Sequence, residues 1–225
     1  MKWSRSRYYR RAGKKISALS IHLERGATEL ARALELQQEA LVIQEEIGDR
    51  RGCAAIIGTL GLIHHSAGEY HEAIEHYQNA IAIAEAIEDR QIKAKSMMNI
   101  GTAYCHLKES QRSIEMLEQA LSIFRDLEDR YDEGTALNNL GNTYAAMGDS
   151  RAAVRFYSEA LVIARETSNS RGEANVRVNL GLEMHRLGEV ADAIEQAETA
   201  LEIFVRLEDP AAATVLARLA DWRKC

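Results

Sequence analysis

The 225-residue chain is predicted to be all-α, a right-handed α-solenoid of stacked antiparallel helix pairs, and three observations carry that prediction. Hydrophobic residues make up 46%, charged residues 28%, and Pro210 is the single proline, which is the palette of helices packed on helices. Laid out in blocks of forty beginning at 11, 51, 91, 131, 171 and 211, the chain aligns with itself without an insertion. Within each block the apolar residues recur at helical spacing, and small residues fall at fixed positions.

Residues 1–15 form a basic N-terminal tail holding seven cations: Lys2, Arg5, Arg7, Arg10, Arg11, Lys14 and Lys15. The formal charge is -6 overall, and the remainder carries 21 basic against 34 acidic residues, so the body repels nucleic acid and only the tail could meet phosphate. Residues 16–50 read as a degenerate N-terminal repeat, with Ser20-Ile21 where later blocks have Leu-Gly but with Ala40, Leu41 and Ile43 in register. No stretch reaches the roughly eighteen apolar residues that a membrane span needs. Ser17, Ser20 and His22 interrupt the apolar run near the start, which argues against a secretory signal.

Residues 51–210 form four forty-residue units. Leu60-Gly61, Ile100-Gly101, Leu140-Gly141 and Leu180-Gly181 share one position; Ala73, Ser113, Ala153 and Ala193 follow, then Ala80, Ala120, Ala160 and Ala200. A side chain larger than methyl at these points would hold paired helices apart. Gly68, Gly148 and Gly188 sit midway through their blocks, where a glycine ends a helix; Lys108 replaces it in the second unit. Asp49, Asp89 and Asp129 precede new blocks as expected N-caps, giving two helices of about sixteen residues per block and about eleven in all. Residues 211–225 are expected to cap the array, with Val215, Leu216, Leu219 and Trp222 on one face.

The pattern of Leu140, Gly141, Tyr144, Ala153, Tyr157 and Ala160 resembles the tetratricopeptide repeat. The period of forty exceeds that family's usual 34, implying second helices longer by a turn or more. With Asn139 to Asn142 reading Asn-Leu-Gly-Asn and the Asp49-Arg50, Asp89-Arg90 and Asp129-Arg130 junctions, the chain looks most like the subclass in GoLoco-containing spindle-orientation adaptors and bacterial regulators. Met184 and Ala197 depart from it by replacing aromatics.

The resemblance implies that the first helix of each pair lines a concave groove. Its inward positions would be Ala55, Gly58, Thr59, Leu62 and His65; Lys95, Met98, Asn99, Thr102 and Cys105; Thr135, Asn138, Asn139, Asn142 and Ala145; and Asn175, Val178, Asn179, Leu182 and His185. Six of the eight asparagines fall in this set, although asparagine is a poor helix former. Their amides suit the backbone of an extended peptide, the alternative being bonds between helices. A peptide-binding site is therefore expected over Lys95, Met98, Asn99, Thr102, Thr135, Asn138, Asn139, Asn142, Asn175, Asn179 and His185. A clamp for acidic C-terminal peptides lacks its cations, since only Lys95 and Arg186 lie near.

The expected function is non-catalytic: a protein–protein interaction module holding a peptide or partner segment. Two alternatives stand beside it, a regulatory sensor of a small peptide or metabolite, and a scaffold that self-associates into a homo-oligomer through repeat ends around Trp222. No nucleophile–base set or phosphate loop stands out, and no cofactor is expected. His64, His65, His71 and His76 with Glu72 and Glu75 do not converge by pattern on a metal site. Cys53, Cys105 and Cys225 lack metal or disulfide spacing, so reduced thiols and a cytoplasmic location are expected.

Overall fold

The computed structural model describes residue 32 and residues 34–223. The basic tail and the first half of the degenerate repeat lie outside the described residues. Among the described residues there are ten helices: α1 (34–47), α2 (Arg50–Ala67), α3 (Tyr70–Ala86), α4 (Arg90–His106), α5 (Ser110–Asp126), α6 (Arg130–Ala146), α7 (Ser150–Glu166), α8 (Ser170–Arg186), α9 (Val190–Arg206) and α10 (Ala211–Trp222). The described residues contain no strand, and no helix is long and apolar enough to cross a membrane. From α3 to α9 every helix has 17 residues. First and second helices are therefore equally long, one residue more than the expected length of about sixteen.

The helix ends follow local chemistry. Asp49, Asp89, Asp129 and Asp149 accept the amides of Gly52, Ile92, Asp132 and Ala152 at 2.9–3.1 Å, and Asn169 accepts that of Gly172. Each bond satisfies a donor that the first turn leaves free. Gly48, Gly68, Gly148 and Gly188 close their helices at φ between +73° and +84°. Glu88, Lys108, Glu128, Ser168 and Glu208 adopt the same left-handed conformation, at φ between +53° and +62°. The backbone therefore repeats every twenty residues, twice as often as the sequence.

Helices pair as α2 with α3, α4 with α5, α6 with α7 and α8 with α9, and each pair stacks on the next. Gly61, Gly101 and Gly141 lie against Tyr77, Leu117 and Tyr157 of the partner helix, so closely that an added Cβ would sit within 3.0 Å of the opposing side chain. Ala73, Ser113, Ala153 and Ala193 are wholly buried, as are Ala80, Ala120 and Ala200. One apolar cluster runs from Ala94 through Leu140 to Leu180, and two others continue it toward either end. No block could cover this surface alone, and stacking makes the core continuous.

Trp222 corrects the expectation that it serves self-association. In the last unit Ala197 stands where earlier units carry Tyr77, Leu117 and Tyr157. The Trp222 ring fills that space, 8% exposed, with its Cη2 3.6 Å from where a Cβ on Gly181 would lie, and it stacks on His185 at 4.8 Å. It belongs to the intramolecular core.

Candidate functional site

Successive first helices α2, α4, α6 and α8 approach one another along the stack, whereas no two second helices among those described do so as closely. The first helices thus lie nearer one another than the second helices do, and the asparagine positions lie along them. Of the eleven expected site residues, ten are at least partly accessible. Met98 is the exception and a correction: it is 8% exposed and belongs to the core cluster around Leu137 and Leu140.

The amides divide into two groups. Asn139 Nδ2 donates to Thr102 Oγ1 of the preceding unit at 3.3 Å. Asn179 Nδ2 reaches back to Asn138 Oδ1 at 3.3 Å and Asn142 Oδ1 at 3.2 Å, and Asn142 Oδ1 also accepts from the buried Tyr157 hydroxyl at 2.7 Å. These four asparagines bridge adjacent repeats, so bonds between helices occupy part of their capacity. Their second amide atoms, Asn138 Nδ2, Asn139 Oδ1, Asn142 Nδ2 and Asn179 Oδ1, are left without a partner among the described residues. Asn99 is partly accessible and Asn175 exposed, and neither side chain has a bonding partner among the described residues.

The hydroxyls of Thr102 and Thr135 donate to the carbonyls of Met98 and Tyr131 in their own helices. Lys95 Nζ lies 3.1 Å from Asp132 Oδ2, in an ion pair between α4 and α6. Burial pushes the Asp132 carboxyl above its ordinary range, against the pull of Lys95. His185 is held by its stack on Trp222, at the far end of the row of first helices.

At the near end the imidazoles pack with one another. His64 stacks on His76 at 5.0 Å, and its Nδ1 meets Glu69 at 2.6 Å. His65 meets Tyr70 and His106 edge-on. Burial, then the facing His106, lowers the pKa of His65; burial and His64 lower that of His76 against the opposing effect of Glu75. Among the described residues no group of three or more His, Cys, Asp or Glu is gathered for a metal.

Residue patterning missed a cleft of about 240 Å³ where α6, the end of α7 and the start of α8 meet. Thr135, Asn138 and Asn175 form part of its wall, joined by Tyr131, Gly134 and Gly172. The signal was present in the sequence, because Tyr131 and Gly134 break the repeat: Arg51, Gln91 and Arg171 share the first position and Ala54, Ala94 and Ala174 the second.

The tetratricopeptide repeat profile matches residues 16–86, 92–166 and 132–206. Among solved structures, BtubC from P. vanneervenii is 17% identical with a TM-score of 0.68, covering 87% of this chain and 91% of its own. A signal transduction ATPase with a tetratricopeptide repeat sensor from Pyrococcus horikoshii is 21% identical with a TM-score of 0.69, over 92% of this chain and 31% of its own. A Rap protein complexed with competence and sporulation factor is 19% identical with a TM-score of 0.65, over 86% and 59%. At these identities the likeness shows a shared fold alone, and no curated protein sequence matches the chain. With the repeat profile covering well over half its length and helix pairs stacked throughout the described units, the chain belongs to the tetratricopeptide repeat family.

Proposed function

We propose that the protein is a non-catalytic interaction module that binds a peptide or partner segment along the first helices α4, α6 and α8. The observation that carries this reading is the row of at least partly accessible asparagines whose amides keep atoms without partners among the described residues, from Asn99 through Asn138, Asn142 and Asn179 to Asn175. An extended segment offers unpaired backbone N–H and C=O groups, and each free amide can accept from one or donate to the other. The Rap neighbour, whose structure is of a complex with competence and sporulation factor, is consistent with such a use of the fold.

Asn99 and Asn175 provide the test, because neither supports the fold through a bond among the described residues. Replacing both by Ala should leave the melting temperature unchanged or slightly raised, since Ala is the better helix former. Binding of peptides selected from a displayed random library should weaken by roughly tenfold, the equivalent of about 1.4 kcal/mol. Undiminished binding by the double variant would refute the groove reading.

A sensor role is the second reading, favoured by the double duty of Asn138, Asn142 and Asn179. A ligand competing for these amides would loosen or tighten the α6–α8 contact and so change the curvature that a second protein meets. Small-angle scattering with and without the selected peptide tests it, an unchanged curve ruling it out.

A further inference from the structure

At the α6–α7–α8 cleft two inter-repeat contacts are missing, one made at the other three junctions and one made between α4 and α6, and each is altered on both sides. Along the edge of the stack, Arg51 Nε meets Asp89 Oδ2 at 2.8 Å, Gln91 Nε2 meets Asp129 Oδ2 at 3.3 Å, and Arg171 Nε meets Asp209 Oδ2 at 2.9 Å. The corresponding pair at the third junction is Tyr131 and Asn169, neither of them charged. One turn deeper, Lys95 and Asp132 bridge α4 to α6. Forty residues on, their counterparts are Thr135 and Gly172, which leave that volume open.

The remaining lining has a definite chemistry. Ala160, Ile163, Ala164 and Val176 are apolar, and Gly134 lets Ile163 lie where an added Cβ would be 2.8 Å from its Cγ2. Tyr131, 58% exposed, supplies an aromatic wall. The mouth carries the Thr135 hydroxyl and the amides of Asn138 and Asn175. No carboxylate lines the cleft, and its one cation, Arg171, is paired with Asp209. A cation entering would lose hydration with no carboxylate to compensate it and an anion would have to compete with Asp209 for Arg171, whereas an apolar group would gain by leaving water. The volume of about 240 Å³ exceeds the roughly 150 Å³ cavity that takes up benzene.

We propose that this cleft receives one uncharged apolar side chain, aliphatic or aromatic, of a peptide whose backbone lies on the neighbouring amides. The proposal rests on the groove reading and adds to it the residue class that fixes the peptide's register.

The probe is a random dodecapeptide library displayed on phage and selected on the full chain. Selected peptides should share Leu, Ile, Met, Phe or Tyr at one position, and its change to Asp should weaken binding by roughly tenfold or more. The double substitution Thr135→Lys with Gly172→Asp, which copies the neighbouring junction, should weaken the parent peptides equally and make them indifferent to the change at that position. Asn175→Trp, at an exposed position on the mouth, should do the same and serves if the double variant loses its helical circular dichroism. Selected peptides with no apolar position in common, or unaffected by both variants, would overturn the anchoring site while leaving the groove reading standing. A library yielding no binder at all would overturn both.

Discussion

Replacing Gly141 by Ala and, separately, Gly58 by Ala should move stability in opposite directions, although both glycines lie inside first helices. Glycine in a helix interior costs roughly 0.5–1 kcal/mol relative to Ala, so propensity alone predicts a gain at both. At Gly58 nothing lies within 4 Å of an added Cβ, and the whole gain should appear. At Gly141 the new methyl would lie 2.5 Å from Tyr157 Cδ1 and 3.0 Å from its Cζ. That ring is 2% exposed and its hydroxyl is tied to Asn142, so it can yield only by moving α7 away from α6. Overpacking of this kind costs typically about 1–3 kcal/mol, which at the middle of both ranges leaves a net loss of about 1 kcal/mol. For a chain of this length each kcal/mol shifts the melting temperature by roughly 2–4 °C. Circular dichroism at 222 nm, followed through heat and urea, should show G58A melting above the parent and G141A below it. A G141A variant as stable as the parent would refute the claim that glycine sets the helix spacing.

Tyr77 and Tyr157 occupy equivalent positions, but Tyr157 donates to Asn142 while the buried Tyr77 hydroxyl has no partner among the described residues, Leu62 standing where that asparagine would be. Tyr157→Phe should therefore cost about 0.5–1.5 kcal/mol in urea titration and Tyr77→Phe nothing or less; equal losses would count against the assignment. Lys108→Gly should stabilise by up to about 1 kcal/mol by relieving a φ of +62°, whereas Gly148→Ala, at φ +81° with open space around it, should lose about as much. His65 and His76 have pKa values lowered in the fold, so folding favours their neutral forms. Their contribution is present above the unfolded value of 6.5 and is lost as pH falls below it. The urea midpoint should fall between pH 7.5 and 5.5 and fall less in a His65→Phe, His76→Phe variant; a midpoint flat over that interval in the parent would sink the inference.

The repeat made much of this legible in advance. Small residues at fixed spacing marked where helices touch, and Ala73, Ala80, Ala120 and Ala153 are buried accordingly. The caps at Asp49, Asp89 and Asp129 were readable because a carboxylate before a helix acts on its own first turn. The left-handed residues Glu88, Glu128, Ser168 and Glu208 were not, since nothing in a Glu or Ser favours that conformation. They adopt it because the packed helices on either side fix the direction in which the chain must turn.

Sequence by itself determined that helices form and where they pair, because those features follow from periodicity and residue size; the face assigned to the asparagines was an implication of the family resemblance. Only the tertiary structure decided which amides are taken up between repeats, that Met98 and Trp222 belong to the core, and that a cleft opens beside Tyr131. Each of these depends on contacts between side chains some 36 to 41 residues apart, whose reach and orientation exist only once the units are stacked.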